Sequence, residues 1–108
     1  MRPYLTITTT TDSAELAQRI GYALVEDRLA ACVQIDGPLR STYRWQGTVE
    51  RAREWRLSIK TRSELFDAVS AAIASRHTYE LPEILATPVA EGEERYLTWL
   101  DEQCERRD

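Results

Sequence analysis

The sequence contains one histidine, His77, and two cysteines, Cys32 and Cys104, and these are its strongest candidates for nucleophilic or metal chemistry. A Ser-His-Asp or Cys-His mechanism would have to take its general base from His77. The fold could bring His77 close to Cys32, but their spacing does not show it, and the isolated glycines form no phosphate-binding loop. A thiol-dependent enzyme would require an unusually reactive Cys32. These residues therefore favour no class of enzyme.

Metal binding is the second chemistry that these side chains permit, because thiolate and imidazole are ligands that suit copper or zinc. A closed structural zinc site needs four ligands, and three scattered candidates argue against one. A looser copper site, or a site shared between chains, stays open. For each cysteine the alternative is packing: Cys32 as a small side chain in a strand, and Cys104 in the apolar stripe of a helix.

The segment 77–83 is the densest polar and aromatic stretch, with an imidazole, a phenol and two carboxylates between a helix and a strand. Loops in such positions often carry function, which makes this segment a candidate site. In the alternative, its two glutamates meet backbone amides or Lys60 and Arg62, its tyrosine packs, and His77 caps the helix end. Both interpretations stay open from these residues.

The length of 108 residues predicts a single domain, 1–108, with one hydrophobic core. A chain this short buries a smaller fraction of its surface than a large enzyme does, and association is a common way to bury more. The formal net charge of −4, with both signs spread along the chain, argues against nucleic acid as a partner.

The N-terminal residues 1–7 lack the continuous apolar core of a signal peptide, and no stretch has the length of a membrane span. We therefore expect a cytoplasmic protein with no membrane partner. In that reducing compartment both cysteines should be thiols.

Hydrophobic spacing predicts the elements that position these residues. Residues 4–10 are rich in threonine and β-branched side chains and predict a first strand. Asp12 and Glu15 match a capping box, and apolar residues then recur at helical spacing to about residue 28. Residues 31–35 alternate as a second strand until Gly37-Pro38 interrupts it.

A long hairpin spans residues 41–61 and turns at Gln46 and Gly47. Its return arm alternates apolar with polar residues. The hairpin is longer than one small domain needs to cover its own core. This length predicts association with copies of the same chain.

Thr61 and Glu64 match a second capping box, which opens a helix ending near His77. Residues 84–89 predict a short strand that Pro88 confines to a sheet edge or a strand end. A last helix follows over 93–105. The order βαββαβ plus a C-terminal helix predicts an α+β fold, the ferredoxin-like split βαβ sandwich, with two helices on one sheet face and the other face bare.

Five sequence motifs in this order resemble the CutA divalent-cation tolerance family: ACV at 31–33, YRWQG at 43–47, IKTR at 59–62, HTYELPEI at 77–84 and YLTWL at 96–100. The match covers nearly the whole chain. It implies a ferredoxin-like fold and a tight homotrimer in which the hairpin reaches across subunits. It also implies a non-enzymatic role in tolerance to copper and other divalent ions.

The resemblance also suggests roles for individual residues. Cys32 and His77 become the metal-ligand candidates, for copper(II) or another divalent cation, with no obligatory cofactor. Two further groups fall in motifs at subunit boundaries: Lys60, Glu80, Tyr96 and Trp99 in the inter-subunit clefts, and Tyr43, Trp45 and Trp55 at the trimer interface.

The family is similar in architecture to the trimeric PII signalling proteins. This keeps a second function open, a scaffold that binds a small molecule or an unidentified partner protein. Two positions depart from the family pattern: Thr78 replaces the usual proline, and Gln46 with Thr48 replaces the commoner Glu and Lys around the hairpin glycine.

Overall fold

Four strands and three α-helices make up residues 3–106, the part of the chain that the computed structural model describes. In chain order they are β1 (Tyr4–Thr11), α1 (Ala14–Glu26), β2 (Cys32–Trp45), β3 (Thr48–Arg62), α2 (Phe66–Arg76), β4 (Leu85–Pro88) and α3 (Glu94–Gln103). The strands form one antiparallel sheet in the order β2-β3-β1-β4. This architecture confirms the predicted ferredoxin-like α+β fold.

The hydrophobic core lies on one face of this sheet, because alternate residues of each strand point to it. Ile7 of β1 stands opposite Ile59 of β3, which in turn stands opposite Val33 of β2. The buried residues of both helices join the same core: Leu16, Ala17, Ile20 and Leu24 from α1, and Val69 and Ile73 from α2. Helix α1 lies so close that a Cβ on Gly21 would come within 3.1 Å of Val33.

The opposite face of the sheet carries polar side chains. Thr6, Lys60 and Cys32 form one row across β1, β3 and β2, and Thr8, Ser58 and Gln34 form the next. Helix α3 lies at one end of the sheet, where Arg62 of β3 forms an ion pair with Asp101. The described helices include none with the length and apolar character of a membrane span.

The two predicted capping boxes are wrong in detail. The N-cap of α1 is Ser13 rather than Asp12, and its hydroxyl accepts a hydrogen bond from the Leu16 amide at 3.1 Å. Thr61 caps no helix, because it faces the core as the penultimate residue of β3 and donates its hydroxyl to the Leu29 carbonyl at 2.6 Å. A single 3-10 turn, Ser63–Leu65, leads into α2 instead.

The predicted break at Gly37-Pro38 is a register shift inside one continuous strand. Between Asp36 and Leu39 the pairing of β2 with β3 shifts, and the chain crosses a cis Gly37-Pro38 peptide bond. The hairpin turns at Gln46 and Gly47 as predicted, both with positive φ (49° and 82°).

The edge position of β4 agrees with the prediction from Pro88, which is the last residue of that strand. β1 pairs with β3 only over residues 55–62, whereas β2 pairs with it over nearly its whole length. The hairpin therefore extends beyond the core and gives the molecule a long axis of 44 Å.

Gly37 should be intolerant of any side chain. With φ at +152°, a Cβ would lie 2.7 Å from the Trp55 ring and 3.0 Å from the Glu54 carbonyl oxygen. We expect Gly37→Ala to lower the free energy of unfolding by about 1–3 kcal/mol, measured by denaturant titration at fixed protein concentration. Gly47→Asn is the control, since nothing lies within 4 Å of that position and asparagine tolerates positive φ. Equal stability of Gly37→Ala and wild type would contradict the packing described for this bulge.

Candidate functional site

His77 fastens the segment 77–83 to the end of β1. Its Nε2 lies 2.7 Å from the Thr10 carbonyl oxygen, and the Tyr79 amide donates to its Nδ1 at 3.0 Å. Nε2–H is therefore the donor and Nδ1 the acceptor, the pattern of a neutral imidazole. The His77 and Tyr79 rings pack with centroids 4.6 Å apart. His77 is the C-cap residue of α2, as the capping interpretation expected, but its ring bonds β1 rather than the helix end.

Tyr79 continues this connection to β3. Its hydroxyl donates to Glu54 Oε2 at 2.7 Å, and Glu54 is only 7% exposed. Burial raises the pKa of the Tyr79 phenol well above its usual 10, and the Glu54 carboxylate raises it further. The phenol therefore stays protonated and keeps donating to the carboxylate at neutral pH.

The expected partners of the segment's two glutamates are engaged elsewhere. Lys60 donates to Gln34 on β2, and Arg62 forms ion pairs with Glu64 and Asp101. The interpretation that Glu80 and Glu83 bind this lysine and arginine is therefore wrong. Both glutamates are exposed.

A groove lies between the segment and the hairpin. Its volume is about 680 Å³, within the usual range for a small-molecule site. It is lined by Thr10, 41–43, Trp45, Glu54 and 79–83. The groove thus places three aromatic side chains, those of residues 43, 45 and 79, around the buried Glu54 carboxylate.

Cys32, Lys60, Tyr96 and Trp99 belong to the other end of the sheet. Cys32 is half-buried at the start of β2 and stands opposite Lys60. The rings of Tyr96 and Trp99 on α3 pack with centroids 5.4 Å apart. Burial raises the pKa of the Tyr96 phenol, and the nearby Cys32 adds to the increase. Lys60 and Tyr96 thus lie near Cys32, Trp99 packs on Tyr96, and Glu80 lies at the groove.

The two metal-ligand candidates do not meet within one chain. Cys32 lies in the row of Thr6, whereas His77 bonds to Thr10, four residues farther along β1. That separation is about 13 Å along the strand, far beyond the reach of one ion. Cys104 is buried beside Thr61, and burial raises the pKa of its thiol. Within residues 3–106 no three His, Cys, Asp or Glu side chains are grouped to hold a metal ion.

The three aromatic residues predicted at the trimer interface differ in position. Tyr43 and Trp45 on β2 are 44% and 38% exposed. Trp55 is half-buried and packs against the core of its own chain, with the Arg53 guanidinium 5.6 Å from its ring centroid. Of these three residues, Tyr43 and Trp45 are the more exposed.

Glu54 is the site residue that sequence reasoning missed. The alternation of β3 places it with charged, solvated residues, and nothing local indicates burial. Its burial depends on Tyr79, a residue distant in sequence that lies against it and donates a hydrogen bond to its carboxylate. A polar residue with an aromatic partner so far along the chain leaves no local signal.

Comparisons with known proteins place these features in a family context. Residues 5–103 match the family model described as CutA1 divalent ion tolerance protein. The divalent-cation tolerance protein CutA of Thermus thermophilus is 47% identical over 93 residues, which cover 86% of this chain and 90% of that protein. A solved structure of the Cut A1 protein from the same organism superposes with a TM-score of 0.92 at 43% identity, covering 94% of this chain and 99% of that one.

A plant relative, protein CutA 1, chloroplastic, from Oryza sativa subsp. japonica, is 36% identical over 98 residues. The match covers 91% of this chain and 55% of the plant protein. This chain thus spans about half the length of that relative.

The Tyr79–Glu54 hydrogen bond should make stability depend on pH in the alkaline range. The unfolded chain loses the Tyr79 proton near the ordinary pKa of 10.0, whereas the folded chain keeps it to higher pH. Above pH 10 the unfolded state thus binds fewer protons, so the free energy of unfolding should fall as pH rises. We expect Tyr79→Phe to reduce this slope, measured by denaturant titration between pH 8 and about 11.

The same substitution removes the donor to a buried carboxylate and should cost about 1–3 kcal/mol at neutral pH. Tyr22→Phe is the matched control, because Tyr22 is 72% exposed on α1. An alkaline slope that is identical in wild type and both variants would contradict the assigned role of Tyr79.

Proposed function

The chain belongs to the CutA1 divalent ion tolerance family, and from this membership we propose that it acts as a non-catalytic homotrimer in tolerance to divalent cations. In this proposal residues 1–108 form a single CutA-like domain. The protein binds copper(II) or a similar ion weakly and has no obligatory cofactor. Relatives named for divalent-cation tolerance support the cellular role.

The observation that carries the homotrimer is the exposed aromatic surface of the hairpin. Tyr43 and Trp45 lie on the part of β2 that extends beyond the core, where the described chain leaves them 44% and 38% exposed. Large aromatic side chains are typical of interface centres rather than of free surface. A neighbouring copy would cover them, together with the polar sheet face. Trp55 contributes indirectly, by supporting the base of the hairpin from inside.

The environments of the two candidate ligands support weak rather than tight metal binding in this proposal. His77 uses both ring nitrogens, so an ion could bind it only after displacing the Thr10 carbonyl or the Tyr79 amide. Leaving such a group unpaired costs about 1–3 kcal/mol. Cys32 is half-buried and has no fixed co-ligand among the described residues. We propose that a second subunit or solvent completes the coordination at each residue.

A second function is favoured by one observation, the groove beside Glu54. A trimeric scaffold of the PII type would bind a small molecule, or a partner protein, at such a place. The ligand-sized volume of about 680 Å³ and its aromatic walls support this alternative. Metal effects would then be indirect.

The remaining features of the proposal concern partners and location. A net charge of −4 supports the absence of nucleic acid from the partners. We propose the cytoplasm as the compartment and no membrane partner, and cell fractionation would test both. The plant relative named as chloroplastic shows that family members differ in location.

Replacing Tyr43 with glutamate should dissociate the trimer. A charge at this exposed aromatic position would have to be buried without a partner if copies packed over it. We expect Tyr43→Glu to have the mass of a monomer by light scattering, whereas wild type has three times that mass. Tyr22→Glu, an equally drastic change at a 72% exposed tyrosine, should remain trimeric. A trimeric Tyr43→Glu protein would refute this interface.

Calorimetric titration with Cu²⁺ tests the metal proposal. We expect weak binding by wild type, and in Cys32→Ser and in His77→Ala an affinity at least roughly tenfold weaker at the site of the replaced residue, with the other site retained. Cys104→Ala serves as the control, because its buried thiol lies away from both candidates. Thermal unfolding of each variant separates lost ligands from lost folding. Equal affinity in all four proteins, or no binding by any, would refute both ligand assignments.

A further inference from the structure

Glu54 is a buried carboxylate without a counter-ion. It is 7% exposed, and its one hydrogen bond within residues 3–106 comes from the uncharged Tyr79 hydroxyl. The ion pairs of the described residues leave Glu54 out. Burying a charged carboxylate is costly unless a cation compensates it. No ion pair among residues 3–106 supplies that positive charge, which leaves the place beside Glu54 open to a cation from another molecule.

The groove around Glu54 has the composition of a cation site. Its described lining includes Glu80 and Glu83 but no lysine, arginine or histidine. Three aromatic rings, those of residues 43, 45 and 79, form its walls. Aromatic faces attract cations, and they do so most strongly where the cation loses water. The acidic side chains and the aromatic rings of the groove thus both favour a cation as the ligand.

An organic cation fits this groove better than a metal ion. Within residues 3–106 the acidic side chains are not grouped as metal ligands. The volume of about 680 Å³ would hold a metabolite-sized molecule. We propose that the groove binds a small organic cation carrying a guanidinium or alkylammonium group, with Glu54 as its counter-ion and the aromatic walls around its carbon chain.

This inference rests on the second proposed function, a trimeric scaffold that binds a small molecule. Tyr43 and Trp45 belong both to the groove and to the proposed trimer interface, and Glu80 to a predicted inter-subunit cleft. The site would therefore lie at a subunit boundary, with a neighbouring copy close to its open side. Small-molecule sites are often found at such boundaries.

Butylguanidinium and its neutral analogue butylurea are the test probes, because they have nearly the same shape and differ in charge. We expect wild type to bind butylguanidinium, and Glu54→Gln to bind it roughly ten- to a hundredfold more weakly. Butylurea should bind wild type as weakly as butylguanidinium binds Glu54→Gln. Glu50→Gln is the matched control, an exposed glutamate on the same strand outside the groove lining.

A measurement on wild type keeps the test decisive if Glu54→Gln does not fold. Butylguanidinium should shift the indole NMR signal of Trp45, assigned with Trp45→Phe, and butylurea should not. Equal binding of both probes, or of wild type and Glu54→Gln, would overturn the proposal.

The mass of each sample, measured alongside, separates this inference from the proposed assembly. A wild-type trimer that binds no butylguanidinium overturns the site and leaves the trimer, and an arginine of a second copy seated in the groove would give that result. A wild-type monomer that binds butylguanidinium through Glu54 overturns the trimer and supports the site.

Discussion

The structure depends on the pairing of β3 with two neighbours at once. Over residues 56–60 this strand bonds β1 on one side and β2 on the other, and its alternate side chains enter the core. A slip of one residue would move Leu57 and Ile59 from the core to the polar face, so the register is strongly fixed. Before residue 55, β3 has only β2 beside it. The core therefore ends near residue 55, and the part of the hairpin beyond it is the surface left for other molecules.

The chemistry-bearing residues of the chain mainly position its backbone. His77 binds a carbonyl and an amide, Tyr79 binds Glu54, and Thr61 binds the Leu29 carbonyl. The hydrogen bonds of His77 and Tyr79 hold the segment 77–83 against the strands and so shape one wall of the groove. A histidine in a polar loop thus need not be a reactive group. Here its two nitrogens are matched to one acceptor and one donor of the backbone.

Periodicity and turn chemistry were sufficient to predict the elements and their order. The alternation around Leu57 and Ile59, the turn at Gln46 and Gly47, and the restriction by Pro88 depend on neighbouring residues, and all appear in the structure. The second capping box failed because the hydroxyl of Thr61 binds a carbonyl across the core, and the first failed by one residue, since Ser13 caps α1. The burial of Glu54 and the bonds of His77 were equally out of reach, since each depends on contacts between residues far apart in the chain.

The sheet topology also has a consequence for how the chain folds. A two-residue turn joins β2 to β3, whereas the pairing of β1 with β3, which brings Tyr4 to Arg62, closes a much longer loop. Contacts between neighbouring segments form quickly, and those that close long loops form late. We expect the hairpin to assemble early, with Tyr43 and Trp45 exposed, while β1 is still unpaired. A growing population of such half-formed chains would be prone to aggregate, because the exposed aromatic side chains and the unpaired strand edges are available to other chains.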